Sequence, residues 1–226
     1  MITSFRHATA IVIALMLASI TAQAADLHDM RGTPTIHGNP AAGQTKAAVC
    51  MACHGSDGYS VVPEFPNLAG QSTTYLYQQM QAFKQGWRSN AVMQSQLSPL
   101  SDTELADLAA FFTAMPTRKA SAESTASDGR NLYLEGASNR GIPACQGCHG
   151  SDGDGPQSIG NNRIAGVAWS TFPALAGQSS AYVQQQLKAY RGGQRSGSTN
   201  AAVMHGVTEN LTDTDIAALA HYIAGL

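Results

Sequence analysis

The sequence contains few charged and few aromatic residues. Charged residues make up 12% and aromatic residues 7% of its 226 residues, and its formal net charge is −2. Soluble domains usually contain about 25% charged residues. No long basic run occurs, which argues against nucleic acid as a partner. Because a chain with so few large side chains builds a weak core, we expect a further source of apolar volume.

Long hydrophobic runs are also scarce. The apolar run at residues 8–20 is shorter than the roughly 20 residues that a membrane-spanning helix needs. Arg6 and His7 precede this run, and a small-x-small cleavage site ends at Ala24. This pattern predicts a secretory signal peptide over residues 1–24, cleaved after Ala24. Cleavage one residue later and a retained anchor are the alternatives. No later segment is apolar enough to span a bilayer.

Cysteine is limited to four residues, and all four lie in two Cys-x-x-Cys-His motifs. The motifs are Cys50-Met51-Ala52-Cys53-His54 and Cys145-Gln146-Gly147-Cys148-His149. This pattern is typical of haem c attachment, in which two thiols add to the haem vinyl groups and the adjacent histidine ligates the iron. We therefore predict two covalently attached haem c groups, with His54 and His149 as iron ligands. Buried porphyrins would supply the missing apolar volume, and attachment after export places the protein in a bacterial periplasm.

Two other uses of paired cysteines fit the sequence less well. A zinc ribbon usually separates its two cysteine pairs by about 15–20 residues, and here the pairs are 95 residues apart. Zinc also gives no reason for a histidine after both pairs. A thioredoxin-like redox pair requires a βαβ context, whereas the flanking segments indicate helix and loop.

The second half of the sequence repeats the first. The shared segments are His54–Gly58 with His149–Gly153, Leu68–Ser72 with Leu175–Ser179, Phe83–Arg88 with Tyr190–Arg195, and Leu100–Glu104 with Leu211–Asp215. The offset between the copies grows from 95 residues at the cysteines to 107 at the Leu-Ala-Gly-Gln segments. Such repetition is the signature of duplicated structural units. The additional residues before Phe172 belong in a surface loop.

The repeat predicts the domain boundaries. We expect an N-terminal extension over residues 25–40, a first domain over residues 41–116, a linker over residues 117–127 and a second domain over residues 128–226. The linker is rich in serine and alanine, which is typical of a loop. Each copy is small for a self-sufficient core, so an attached cofactor would stabilise it.

The apolar residues recur at helical spacing. Leu105, Leu108, Ala109 and Phe112 form one stripe, and Ile216, Leu219, Ala220 and Ile223 repeat it. Capping boxes are predicted at Ser101 with Glu104 and at Thr212 with Asp215. Earlier helices should end near Gly86 and Gly193, and others should lead into the cysteine motifs over residues 41–53 and 128–135. No convincing alternating strand pattern occurs, so the fold class is all-α.

The repeat also proposes the second iron ligand in each half. Met93 lies seven residues before Leu100, and Met204 lies seven residues before Leu211. No other methionine pair superimposes, so we predict Met93 and Met204 as axial ligands. A thioether ligand raises the reduction potential, and filling both axial positions suits electron transfer rather than reaction with oxygen or peroxide.

Other residues are candidates for binding an iron or for supporting a haem. His205 adjoins Met204, but its counterpart is Gln94, which favours a surface position. His28 and His37 could bind a haem or a metal, although a disordered tail is the favoured interpretation. For three pairs of residues that the repeat aligns, alternative roles stay open. The carbonyls of Pro66 and Pro173 could accept a histidine ring N–H, or these prolines could only shape a loop. Tyr75 and Tyr182 could bind a propionate or the opposite domain, or they could pack in a core. Arg88 and Arg195 could pair with propionates or be solvated surface charges.

Over residues 38–226 the chain resembles the dihaem cytochrome c4 family. The resemblance rests on the Ala-Ala-Gly-Gln-Thr-Lys-Ala-Ala-Val-Cys segment ending at Cys50, both Cys-x-x-Cys-His-Gly motifs, both Leu-Ala-Gly-Gln segments, both Gly-x-Arg segments and the two methionine-to-Leu-Ser/Thr-Asp segments. It implies two tandem cytochrome c domains, each around one haem, related by a pseudo-twofold axis. It also implies His54 with Met93 on one iron and His149 with Met204 on the other. The extension over residues 26–39 and the insertion before Phe172 depart from the family pattern.

The resemblance implies a periplasmic electron carrier, not an enzyme, often loosely associated with the membrane. The favoured function is single-electron transfer from a quinol-oxidising complex to a terminal oxidase. The alternative is a haem electron-transfer subunit of a periplasmic dehydrogenase. A dihaem peroxidase or a thiosulfate dehydrogenase is disfavoured, because a peroxidase needs an open iron and no spare cysteine ligand exists.

Overall fold

Helices build both halves of the molecule. The computed structural model describes residues 27–118, 127–156 and 169–226. The helices of the first half are α1 (Pro40–Lys46), α2 (Ala48–His54), α3 (Thr73–Lys84), α4 (Ala91–Leu97) and α5 (Asp102–Thr113). Those of the second half are α6 (Ser127–Glu135), α7 (Gln146–His149), α8 (Ser180–Arg191), α9 (Thr199–Thr208) and α10 (Asp213–Ala224). Within the described residues, β structure is limited to two isolated bridges, which agrees with the predicted all-α class.

The helix starts follow the capping signals of the sequence. Ser101 and Thr212 each form a complete capping box with the acidic residue three positions later. The helix predicted over residues 41–53 is divided at Ala47 into α1 and α2. Sequence periodicity did not predict α4 and α9, which are short and begin at side-chain caps on Asn90 and Ser198.

In each half the first helix crosses the last helix at close range. A Cβ atom added to Gly43 of α1 would lie 2.1 Å from the carbonyl oxygen of Asp107 in α5. A Cβ atom added to Gly129 of α6 would likewise lie 2.1 Å from the carbonyl oxygen of Ala218 in α10. A side chain at either position would therefore force the helices apart. The same crossing in both halves shows that the sequence repeat is a repeat of structure.

Each half has a core on the inner face of its last helix. In the first half Leu108, Ala109 and Phe112 of α5 pack with Leu76 of α3. In the second half the core contains Ile216, Leu219, Ala220 and Ile223 of α10, together with Tyr133, Ile142 and Val183. These are the two predicted apolar stripes. The last helices thus form the support on which the cysteine motifs and α3 or α8 are placed.

The two halves contact each other through matching residues. The Gln71 side chain donates to the carbonyl of Ala174 at 2.8 Å and accepts from the N–H of the same residue at 2.9 Å. Gln178 makes the equivalent pair of bonds with Asn67, at 2.7 and 3.1 Å. Because Ala174 and Asn67 are repeat counterparts, just as Gln71 and Gln178 are, the contact has the reciprocal pattern of an isologous interface. The pseudo-twofold relation between the halves follows from this pattern.

The segment before α1 was predicted as a disordered tail, and this prediction is wrong for the described part. His28 forms an isolated parallel bridge with Ser198 and stacks on Trp87. Met30 is 4% exposed. The predicted signal peptide over residues 1–24 lies outside the described residues, as do residues 119–126 of the predicted linker and residues 157–168 of the predicted insertion.

Candidate haem sites

Each cysteine motif lies at the C-terminal end of a short helix, at the equivalent place in its half. Cys50, Cys53 and His54 lie in α2, which ends at Gly55 with φ of 85°. In the second half, Cys148 and His149 lie in α7, which ends at Gly150 with φ of 80°. A positive φ is readily adopted only by glycine, so the chain can leave the helix directly after the histidine. This turn brings a later loop back over each imidazole ring.

That loop fixes the orientation of each histidine. His54 Nδ1 lies 2.9 Å from the carbonyl oxygen of Pro66, and His149 Nδ1 lies 2.9 Å from the carbonyl oxygen of Pro173. A carbonyl oxygen can only accept, so Nδ1 carries the proton and Nε2 keeps its lone pair for a metal. Of the two roles left open for the prolines, the structure supports the carbonyl acceptor.

Burial keeps both imidazoles in the form that ligates iron. His54 and His149 are each 8% exposed. Burial lowers the pKa of both rings, although the bonds to the proline carbonyls oppose this change. The rings are therefore neutral at pH 7. A neutral, oriented imidazole with a free Nε2 is the arrangement that an iron ligand requires.

The cysteines show the same order of exposure in both halves. Cys50 and Cys145 are partly buried, whereas Cys53 and Cys148 are exposed, and none forms a disulfide. Burial raises the pKa of the Cys145 thiol to about 11 and also raises that of Cys50. All four sulfur atoms are available for covalent attachment of a group that lies at the end of each motif helix.

The two predicted methionine ligands lie on short helices that sequence periodicity did not predict. Met93 lies on α4, where Asn90 accepts a hydrogen bond from its N–H at 3.0 Å. Its side chain packs partly buried against Phe83, Leu97 and Leu105. Met204 lies in the middle of α9 and is also partly buried. The repeat thus places both methionines on equivalent elements, and their ligand roles stay predictions.

His205 and His28, the alternative candidates for iron ligands, contact other residues. His205 is exposed, and its Nδ1 lies 2.8 Å from the carbonyl oxygen of Tyr190. His28 stacks on the Trp87 ring. Among the described residues, no group of three or more His, Cys, Asp or Glu side chains converges as a metal site. His205 therefore lies at the surface, as predicted from the fact that its repeat counterpart is Gln94.

The two repeat-related arginines lie between the halves. Arg88 donates to the Tyr182 hydroxyl at 3.1 Å and to Gln186 at 2.8 Å. Arg195 donates to the Tyr75 hydroxyl at 3.2 Å. The interpretation as a solvated surface charge is wrong for Arg195, which is 7% exposed. Arg88 is partly exposed. Of the roles left open for the tyrosines, contact with the opposite half is the one observed.

The arginine cluster also fits an acidic cofactor. Although burial opposes it, Arg88 and Arg195 lower the pKa of Tyr182. Within the described parts of the chain, neither arginine forms an ion pair with a carboxylate. Two cations held mainly by neutral partners leave an excess of positive charge at the junction of the halves. Carboxylate groups on a bound porphyrin would be suitable counter-ions.

The interface glutamines were missed at the sequence level. Gln71 and Gln178 each end a repeated Leu-Ala-Gly-Gln segment, so the signal was visible as a repeat. Their function was not, because the sequence does not show that each side chain bonds to the backbone of the other half. A repeated polar residue at less than 10% exposure is the feature that identifies an interface here.

Comparison with known proteins decides the family. The family model described as Cytochrome c matches residues 40–115 and 126–226. The chain belongs to the cytochrome c family. This cytochrome is 41% identical to cytochrome c4 of Pseudomonas aeruginosa, with 84% of this chain and 89% of the relative aligned. It is 36% identical to a thiosulfate dehydrogenase electron acceptor of Stutzerimonas stutzeri, covering 95% and 92% of the two chains.

A solved structure gives the same result. The reduced recombinant cytochrome c4 from Pseudomonas stutzeri superimposes with a TM-score of 0.73 at 39% identity, over 84% of this chain and 99% of that chain. The protein is a dihaem electron-transfer cytochrome with two cytochrome c domains and two covalently attached haem c groups, and it is not an enzyme. The cysteine and histidine geometry fits this cofactor in both halves.

Proposed function

We propose that this cytochrome carries single electrons between redox proteins of a bacterial respiratory chain in the periplasm, with a terminal oxidase as acceptor. The observation that carries the proposal is the matched pair of histidines, each with Nδ1 on a proline carbonyl and Nε2 free. We propose His54 with Met93, and His149 with Met204, as the iron ligands. The thioether bonds would come from Cys50, Cys53, Cys145 and Cys148.

The protein's own residues support this function by fixing positions. Haem c, when bound, supplies an iron that changes between two charge states. The proline carbonyls hold each imidazole in one orientation, so little reorganisation accompanies a change of charge. The interface glutamines hold the two halves at one separation. The guanidinium groups of Arg88 and Arg195 would balance the carboxylate charge of a bound porphyrin at the junction. Met93 and Met204 would each hold an iron through a thioether sulfur, a soft donor that favours the reduced state.

The methionine assignment makes the first prediction. Replacing Met93 or Met204 with alanine in the holoprotein should remove about half of the weak near-infrared sulfur-to-iron absorption of the oxidised form. Each substitution should also lower one of the two reduction potentials and allow carbon monoxide to bind one reduced haem. Optical redox titration of each variant measures these changes.

Met80 supplies the matched control. Its side chain packs against the first-half core, and Leu187 occupies the equivalent repeat position. Met80→Leu should keep the whole absorption band and both potentials, since leucine preserves most of the packed volume. Absence of the band in the unsubstituted protein would contradict the proposed ligands.

A second candidate function is the haem subunit of a periplasmic dehydrogenase. The alignment with the Stutzerimonas stutzeri thiosulfate dehydrogenase electron acceptor covers 95% of this chain, so it runs through the segment before α1. Alignments with cytochromes c4 cover 84%. Coverage does not separate the two groups, since the alignment with the thiosulfate dehydrogenase electron acceptor of Thiomonas intermedia covers 81%. What supports this candidate is the role for which both acceptors are named, which suggests a dehydrogenase with thiosulfate as its substrate as the electron donor. Co-purification of a larger catalytic subunit from the periplasm would support this candidate over a freely diffusing carrier.

The proposed compartment rests on the predicted signal peptide over residues 1–24 and on haem c attachment after export. In the described ranges, no helix is both long enough and apolar enough to cross a bilayer. We propose that cleavage after Ala24 releases the mature chain and that any membrane association is loose. Mass spectrometry of the protein recovered from the periplasm measures both the N-terminus and the mass of two attached haems.

A further inference from the structure

The segment before α1 is attached to the start of α9. The N–H of His28 donates to the carbonyl of Gly197 at 3.1 Å, and its carbonyl accepts from the N–H of Thr199 at 3.0 Å. The N–H of Met30 donates to Thr199 Oγ1 at 2.9 Å, and the Met30 side chain is buried. Three hydrogen bonds therefore hold the first turn of the helix that carries Met204.

The same segment is attached to the first half. The His28 ring stacks on the Trp87 ring with a centroid separation of 3.9 Å and an interplanar angle of 14°. Farther along, the N–H of Ile36 donates at 3.0 Å to Thr74 Oγ1, which lies on α3. The segment then continues directly into α1. It thus spans from the second half to the first, beside the junction of the two.

Gly197 permits this arrangement. A Cβ atom added there would lie 2.2 Å from the carbonyl oxygen of Trp87. The loop that begins α9 and the loop that carries Trp87 are therefore in backbone contact. Gly197 is not among the glycines with positive φ, so a larger residue is excluded by space rather than by backbone conformation. An alanine at this position would act as a wedge between the halves.

This contact breaks the symmetry of the molecule. In the first half, α4 carries Met93 and begins at the side-chain cap of Asn90. Within the described residues, no segment of the second half pairs with the start of α4 as His28 pairs with the start of α9. The two predicted methionine ligands are therefore supported differently, although their helices are repeat equivalents.

We propose that residues 27–39 form a positioning strap that fixes the first turn of α9 to the first half and thereby holds Met204 in place. The methionine part of this inference rests on the proposed function. The strap gives the second haem site a support that the first site lacks. Loosening it should weaken the methionine bond of the second site and leave the first site unchanged.

The test uses two variants in the holoprotein. Trp87→Ala removes the stacking partner of His28, and Gly197→Ala inserts the wedge. Both are made in a Met93→Ala background, so that the near-infrared band reports Met204 alone. We expect the temperature at which half of this band is lost to fall by about 4 °C or more in each variant. The matching Met204→Ala background, which reports Met93 alone, should show no such fall.

Hydrogen exchange gives a second measurement that does not depend on iron ligation. Amides in the first turn of α9 should exchange about tenfold faster in Trp87→Ala and Gly197→Ala than in the parent protein. Gly32→Ala and Arg31→Ala are the controls, because a Cβ at Gly32 meets nothing within 4 Å and the Arg31 side chain is 71% exposed. Both controls should match the parent.

The outcomes separate the strap from the ligand assignment. If the parent protein lacks the near-infrared band, the methionine ligands fail, and the exchange rates alone decide the strap. If exchange in both variants equals that of the controls, the strap is overturned. Faster exchange with an unchanged band midpoint would overturn the role in positioning Met204. Faster exchange with a lowered midpoint supports the whole inference.

Discussion

Single side chains set the chemistry of each site through hydrogen bonds to the backbone. The bond from His54 to Pro66 and that from His149 to Pro173 select which ring nitrogen is free. The aligned repeat suggested these prolines because each lies two positions before the leucine of a Leu-Ala-Gly-Gln segment. A single atom contact therefore decides whether a histidine next to a cysteine pair can act as an iron ligand.

Asp215 shows the same principle in a structural role, and it makes a prediction. Its carboxylate accepts from Arg140 and from Thr212, and the bond from Arg140 holds its pKa well below the usual range although burial opposes this. Asp215→Asn should lower the free energy of unfolding at pH 7 by about 1 kcal/mol. Because the folded pKa is depressed, the contribution is full above about pH 4 and is lost as the pH falls further.

Urea unfolding of the holoprotein at pH 7 and pH 3 measures this effect. The difference between the parent and Asp215→Asn should be smaller at pH 3. Asp213→Asn is the control, since Asp213 lies in the same first turn but its side chain is 70% exposed. An equal loss for Asp215→Asn at both pH values would show that its ionised form contributes nothing.

Among the helices, the close crossing of the first and last helix determines the shape of each half. Gly43 faces the backbone of α5, and Gly129 faces the backbone of α10. The helical stripes of α5 and α10 could be found from periodicity alone. The crossing could not, because a glycine in a short helix gives no periodic signal and its importance comes from the opposing backbone.

The crossing predicts an unusual result for a glycine-to-alanine change. In an exposed helix this change stabilises by up to about 1 kcal/mol. Gly43→Ala should instead destabilise by about 1–3 kcal/mol, because the new methyl group would overlap the Asp107 carbonyl oxygen. Thermal unfolding of the holoprotein measures the change, with Gly32→Ala as the open-space control. A gain in stability at Gly43 would mean that the helices do not cross at this distance.

At the scale of the whole molecule, a reciprocal interface joins two halves that each build their own core. Gln71 and Gln178 make equivalent bonds to the opposite backbone, and Arg88 and Arg195 make equivalent bonds to opposite tyrosines. The strap over residues 27–39 adds contacts that have no counterpart among the described residues of the second half. This arrangement fixes the separation of the two cysteine motifs, and with it the distance that an electron would travel between the two haems.

The interface predicts how the halves unfold. In Gln71→Ala combined with Gln178→Ala, the partly buried backbone groups of Ala174 and Asn67 lose their partners. We expect a cost of about 1 kcal/mol for each substitution. We expect calorimetric unfolding of the holoprotein to separate into two transitions, one for each half. Gln81→Ala is the control, because Gln81 is also buried but bonds to Tyr77 and Asp102 within its own half. A single transition in the double variant would show that other contacts suffice to couple the halves.

The sequence alone determined the all-α class, the two cofactor motifs and the two-fold repeat, because these depend on residue type and spacing along the chain. It also supplied the methionine pair, which stays a prediction. Only the tertiary structure showed which partners the interface glutamines, the interface arginines and the segment beginning at His28 contact. Their partners lie between 38 and 169 residues away along the chain, and linear spacing carries no information about such a contact. Because two similar halves fold against each other, ordinary polar residues form the interface between two electron-transfer sites.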